Sequence, residues 1–556
     1  MKLCFGTALS VLLVLTAPGC APSEPTVRPE ENRLLEELME SYVSERFAFY
    51  PVEATLAGLP GNDDRLGSYT EIDVERRIAW LTDFHYRLMG VRLTDLGRPA
   101  YLDALWLTSL VKSEIFDLSE RRSWERTAAF YGERILVGLV SLVAAEDLGE
   151  RFGALLGRLD QVVQLTSQAR ENLGPVDTVW LEDGLASLDA CRSLLRELPG
   201  LVEGRLPEAN TVAFSESQRN AQSAVEELAS LLPVIQFGPN PTGFVSGRDA
   251  LERYFRNAHL SDWPLDELRG RVADSLQAEV HELTSLALAS FPNFALRELV
   301  AQPPENAPEA FVVAAQARVR ARTGTASPAA PGPFPVRLTP PYFPVRDPVT
   351  LWRSRALEPK RGAFLMVRTE WPHGPPSAAA LELSTLREVG GRARQHRYQA
   401  ESASLLRRVF ASASTEAGWL ARFERASVEA GTLPEGDAIR VARHARRILE
   451  LVRLGATIDI HALGVPLHEA ERRFEESAFL TPLAARAEAR RVAVSLEGAT
   501  PGLGALLVED LVSDYRKRYP LETPAQIDQK LLESGSLPVR LIRFDLLEPA
   551  SGPFPD

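Results

Sequence analysis

The chain has 556 residues, of which 45% are hydrophobic and 25% charged, enough to bury a large core as two or more packed subdomains. Its net charge of −13 excludes a nucleic-acid binder, which needs a broad cationic face to neutralise phosphates. Three cysteines are too few for a disulfide framework, so the exported form must be stabilised by packing.

Residues 1–20, MKLCFGTALSVLLVLTAPGC, carry one lysine and then an apolar run too short to span a bilayer, as in a signal peptide. The ending TAPGC resembles a bacterial lipoprotein cleavage box. Cys20 is then the lipid-attachment residue, and the mature chain is anchored to a membrane without crossing it. Ala21 after the cysteine points to the outer membrane. The expected location is the bacterial cell envelope, outer-membrane or periplasm-facing. Residues 21–32, APSEPTVRPEEN, read as a flexible tether of Pro, Ser and Glu.

Residues 33–236 place Leu, Ala and Val at three- and four-residue spacing between Glu and Arg, which predicts a helical N-terminal subdomain. The Gly- and Pro-rich FGPNPTGFVSG marks a joint, and residues 237–300 form a helical connector with one helix after Gly247 and another over 264–290. Residues 301–361 are dense in proline and predict extended chain and turns. GAFLMVRTEW, residues 362–371, is the best strand in the sequence, short and apolar between Gly and Pro. From Ser377 the pattern is helical again, making 362–556 a helical C-terminal subdomain. The fold class is mainly α with one small β element.

Chemistry-bearing motifs are scarce. HEAER at 468–472 has Arg472 where a second zinc-binding histidine would stand, and neither a nucleophile elbow nor a phosphate loop occurs.

Several blocks, in order, carry a family resemblance. PVEATLAGLPGNDDRL (51–66), EIFDLSERRSWERTAAFY (114–131), GRDALERYFRNAHLSDWPLDELRGRV (247–272), RRVFASASTEAGW (407–419) and LLESGSLPVRLI (531–542) resemble the bacterial family known as domain of unknown function 885. The resemblance implies a zincin-like helical groove and a metal-dependent, peptidase-like hydrolase site. The family's motif H-E-x-x-P-G-H-x-x-Q sits on a helix behind a short strand, with an E-G-W block and a later histidine. Zinc is the metal this implies, since neutral imidazoles bind it and an adjacent glutamate activates its water.

Aligned without gaps, the motif falls on LREVGGRARQ, residues 386–395. The histidine positions are Leu386 and Arg392, the glutamate position is Arg387, and Pro-Gly becomes Gly390-Gly391. Gln395 is kept. The E-G-W block reads Ala417-Gly418-Trp419, and His461 stands at the later histidine. Neither leucine nor a guanidinium can bind a cation, so no metal or other cofactor is expected. The two glycines are expected to bend the helix where the family's Pro-Gly would.

Three readings follow. The first, which the lost ligands favour, is a non-catalytic lipoprotein that uses the family's groove for binding or interaction. The second is a hydrolase with a relocated metal or acid–base site on Glu416, Glu424 and His461. The third turns on Arg387 and Arg392: facing the groove, they would pair with Glu416 or Glu424, or receive a peptide or other carboxylate-bearing ligand. Nothing in the sequence names a protein partner.

Overall fold

The computed structural model describes residues 27–548 apart from 146, 207–209, 240, 292–307, 323–332, 340–341, 344–346, 354–362, 369–376, 432 and 434–435. The proposed signal segment, Cys20 and residues 21–26 of the tether lie outside the described residues, while the tether's last four residues are not flexible but form the first turn of a helix that starts at Pro29.

The N-terminal half is helical throughout. Its helices are α1 (Pro29–Phe49), α2 (Pro51–Ala57), α3 (Glu71–Met89), α4 (Arg98–Phe116), α5 (Ser123–Arg126), α6 (Ala129–Val143), α7 (Phe152–Asn172), α8 (Thr178–Val202) and α9 (Thr211–Ile235). Caps follow the residues available: Thr70 and Asp177 each accept a backbone N–H at the starts of α3 and α8. α10 (Arg248–His259) and α11 (Leu265–Ser290) follow the Gly- and Pro-rich joint, as the sequence predicts.

The opening block 51–66 is a structural knot. Gly58 ends α2 in the left-handed region at φ 84°, a conformation glycine adopts without strain. Arg158 of α7, fully buried, donates to the carbonyls of Arg65 and Gly138 and to the hydroxyls of Thr55 and Ser141. Thr55 in turn donates to Asp63 at 2.8 Å, and Asp63 pairs with Arg151. Burial without a paired carboxylate pushes the Arg158 guanidinium down to about 10.

The proline-dense stretch departs from expectation. Pro308–Arg322 is a helix, α12, because Val312, Ala315 and Val319 recur on one face and are fully buried. Proline at its start costs nothing, since that N–H has no helical partner. The remainder supplies two strands besides the expected one: β1 (Val336–Thr339), β2 (Val349–Arg353) and β3 (Ala363–Arg368) form a sheet in the order β1-β3-β2. β1 runs parallel to β3 and β2 antiparallel to it. Leu365 and Val367 pack on Val312 and Leu381, while Phe364 and Met366 face Phe343 and Trp352.

The C-terminal helices are α13 (Ala378–Thr385), α14 (Ala393–Ala400), α15 (Leu405–Val409), α16 (Ala413–Glu429), α17 (Asp437–Leu463), α18 (Leu467–Ser477), α19 (Pro482–Val494), α20 (Thr500–Arg518), α21 (Pro524–Glu533) and α22 (Val539–Leu547). The largest apolar core runs from Leu35 to Leu547, so the two ends of the chain share it. Gly464, left-handed at φ 69°, ends α17 and separates His461 from His468.

Gly390-Gly391 does not break its helix. Leu386–Arg392 is a π-helical turn that joins α13 to α14 with helical backbone on both sides. Gly391 is required by packing: a Cβ there would lie 2.8 Å from Leu420 and 3.0 Å from Phe423 of α16. Gly418 faces Gly504 in the same way, letting α16 and α20 cross almost backbone to backbone.

Candidate functional site

The π-helical turn carries the degenerate motif into the protein interior. Leu386 is fully buried among Leu383, Trp419, Leu420 and Phe423, so the first histidine position is a core residue. Arg387 is also buried, its guanidinium 3.3 Å from Glu450 and 3.6 Å from Glu424. Burial alone would lower its pKa; Glu450, Glu424 and Asp347 more than offset that and raise it. Glu424 also accepts from Arg446 at 2.8 Å, and Arg446 donates to Ser384 at 2.6 Å.

Arg392, one turn on, bonds Glu388 at 2.8 Å and pairs with Glu416. Glu388 is itself buried and accepts the Leu351 amide at 2.8 Å, which satisfies an outward N–H of the edge strand β2. The result is a hub in which Arg387, Arg392 and Arg446 pair with Glu388, Glu416, Glu424 and Glu450. Asp347 stands exposed at its margin. Desolvation opposes its charge, but Arg387, Arg446, Arg392 and Arg453 hold its carboxyl below the usual range.

The retained family positions have structural work. Trp419 donates from Nε1 to the Gly391 carbonyl at 3.1 Å, fastening α16 to the π-helical turn. Gln395 is buried beside Thr415 and Trp419 at a cavity of about 10 Å³, and Ala417 is buried where the block's glutamate would stand.

His461 is elsewhere. Its Nδ1 accepts the Ser246 amide at 3.2 Å and its Nε2 donates to the Val492 carbonyl at 2.8 Å. Burial holds it neutral, with a pKa lowered to about 4. Both ring nitrogens are thereby engaged in binding the 244–247 joint and α19 to α17. Glu416 and Glu424 enter the hub through different arginines, and His461 is not part of it.

These residues do not fit a zinc ion. The two imidazole positions are an apolar side chain and a cation, and the nearby carboxylates already accept from guanidiniums. Among the described residues no three His, Cys, Asp or Glu side chains are placed to share one metal.

A separate groove of about 1080 Å³ lies between α1, α2, α4, α6, α8 and α19, and none of the motif positions lines it. Its wall mixes aromatic and charged groups: the Arg134 guanidinium lies 3.4 Å from the centre of the Phe130 ring and 4.7 Å from that of Tyr69. Arg46, on the same wall, is held by Glu53 and Glu114. At one side Asp117 begins a π-helical turn, Asp117–Arg121, that ends at Arg122 in the left-handed region at φ 47°. Burial and nearby Glu497 push the Asp117 carboxyl up while Arg121 pulls it down. Among the described residues the buried Nε1 of Trp180 and Oγ of Ser113, both lining groups, have no hydrogen-bond partner. Sequence reasoning missed this groove: two of the family-like blocks, 51–66 and 114–131, supply much of its wall, but their convergence with α8 and α19 across the chain leaves no trace in local spacing.

Fold and site together define an α-helical protein with a small sheet and a buried arginine–carboxylate hub in place of a histidine motif. The chain belongs to the family described as bacterial protein of unknown function, DUF885, whose model matches residues 51–546. It is similar to two solved structures described as candidate lipoproteins. That from Colwellia psychrerythraea has a TM-score of 0.74 at 15% identity, over 93% of this chain and 98% of the other. That from Shewanella oneidensis, of unknown function, has a TM-score of 0.69 at 16% identity, over 92% of this chain and all of the other. An M32 carboxypeptidase from Deinococcus radiodurans aligns at a TM-score of 0.37 and 13% identity over 94% of this chain and 96% of its own. No curated protein matches the chain in sequence.

Proposed function

We propose that the protein is a lipid-anchored binding protein of the bacterial cell envelope that keeps its family's scaffold without the hydrolytic chemistry. The observation that carries this reading is the hub. Arg387 and Arg392, at motif positions, are consumed by Glu450, Glu424, Glu388 and Glu416. Carboxylates already bonded to guanidiniums in this way are poor ligands for a metal and poor bases for its water. The groove between α1, α2, α4, α6, α8 and α19 is then the place for a ligand, and the unpartnered Trp180 Nε1 and Ser113 Oγ suit the hydrogen-bond acceptors of a peptide or other carboxylate-bearing molecule. The TAPGC box with Cys20, and the likeness to structures described as lipoproteins, support the anchor.

Calorimetric titration of the purified protein with zinc tests the loss of the metal. The expected result is no stoichiometric binding tighter than micromolar. Submicromolar one-to-one binding that Glu424→Ala or His461→Ala abolishes would overturn the reading. Digestion of a peptide library is expected to yield no cleavage; cleavage lost in Glu416→Ala would instead place a relocated acid–base site at the hub.

A further inference from the structure

Helix α3 lies on the outside of the molecule against α1 and α4, and it exposes three large apolar side chains among its charged ones. Ile72, Ala79, Tyr86 and Met89 follow one another along it with Thr82 between; Glu71 and Glu75 share the stripe near its start, and Arg76, Asp83 and Arg87 are exposed along its edge. Ile72, Tyr86 and Met89 are 67%, 69% and 67% exposed, too open to belong to any core. The stripe is about 25 Å long at 1.5 Å per residue.

Its C-terminal end is where the chain enters the fold. The Arg28 amide donates to the Asp95 carbonyl at 2.8 Å, Arg92 bonds Glu31 at 2.7 Å, and Val27 lies against Gly97. Val27 and Leu93, 47% and 36% exposed, add two apolar side chains at this end of the molecule, Leu93 four residues beyond Met89. Arg28, Arg87 and Arg92 rim it, each about half exposed and each steadied by an acidic neighbour. Apolar residues with a tyrosine at the centre and arginines at the rim match the layering of a phospholipid interface.

Cys20 precedes Val27 by seven residues, which even fully extended span only about 25 Å. An acylated Cys20 would hold this end of the molecule within one protein radius of the bilayer. We infer that the outer face of α3, with Val27 and Leu93, is the membrane-docking surface of the protein, lying in the headgroup layer of the leaflet that holds the lipid anchor. The inference rests on the anchored reading above and adds an orientation: the protein lies against the bilayer on α3 instead of swinging free on its tether.

Single cysteines introduced into the full-length acylated protein test it, because Cys191 is fully buried and unavailable for labelling. Tyr86→Cys, Met89→Cys and a control, Leu288→Cys at the end of α11, would each carry an environment-sensitive fluorophore. The protein is placed in vesicles of phosphatidylethanolamine and phosphatidylglycerol with or without spin-labelled lipid. Quenching at positions 86 and 89 is expected to exceed that at 288 several-fold. Mass spectrometry of the N-terminal peptide reports acylation independently. Acylated protein with equal quenching at all three positions overturns the docking surface and leaves the anchor standing. A Cys20 without acyl chains overturns the anchor, and the docking inference with it.

Discussion

At the scale of single residues, a guanidinium at the motif's glutamate position has an energetic consequence. A buried cation is costly unless it is paired or fully hydrogen-bonded, and Arg387 faces two buried acids that would otherwise repel each other. Removing it in Arg387→Met leaves Glu424 with Arg446 alone and strands Glu450 beside the more distant Arg447, at 3.9 Å. The expected cost is about 3–5 kcal/mol of stability, measured by urea denaturation. Adding Glu450→Gln to that variant should recover a substantial part. The sequence offered pairing of these arginines with Glu416 or Glu424 as one of several options. It gave no hint of Glu450 or Arg446, which reach the hub from α17 some 60 residues away, and side-chain pairing across such distances leaves no periodic trace.

At the scale of elements, glycine, tryptophan and glutamine outlast the motif because they solve packing problems independent of chemistry. Gly418 and Gly391 make the test graded. A methyl at 418 meets the Gly504 carbonyl oxygen, part of a rigid backbone, whereas one at 391 meets the ends of Leu420 and Phe423 side chains. Gly418→Ala should therefore cost more than Gly391→Ala, with the latter near the 1–3 kcal/mol of ordinary overpacking; thermal unfolding of the two variants decides the order. Helix positions were legible because apolar spacing repeats locally. The π-helical turn was not: Gly390-Gly391 suggested a bend, and the wider turn that brings Gly391 against Leu420 and Phe423 of α16 has no periodic signature. Helix α12 was hidden for another reason: proline on both sides masked a short but regular set of buried positions. The block at 51–66 was recognisable as a signature, yet its cause, the buried Arg158, lies about 100 residues further on and has no motif of its own.

At the scale of the whole molecule, charge burial fixes how stability responds to acid. His259 and His461 are held by burial at about 4, and burial with Arg353 and Arg392 lowers His396 well below its ordinary value. In the unfolded chain all three take up a proton near pH 6.5, while the folded protein excludes it. Stability is therefore full above about pH 6.5 and falls as pH drops toward 4, by up to about 1.4 kcal/mol per pH unit for each histidine. Glu114 adds a second, more acidic phase. Burial opposes its charge, but Arg46 and Arg77 hold its carboxyl low, so that contribution is present above about pH 4.3 and is lost as pH falls through its folded value. Midpoints of urea unfolding between pH 7.5 and 4 should trace this decline, and His461→Gln should flatten its upper part.

The hub also acts as a ratchet on what the sequence can become. Leu386→His would put an imidazole into an apolar cluster with no partner, and Arg392→His would strip the charge that balances Glu388 and Glu416. Either step toward a histidine motif lowers stability before any metal can compensate, because a metal needs several ligands at once. Descendants of this chain are thus steered toward new uses of its surfaces and groove and away from a histidine motif at 386–395, with Arg387 and its carboxylates as the catch that holds the direction.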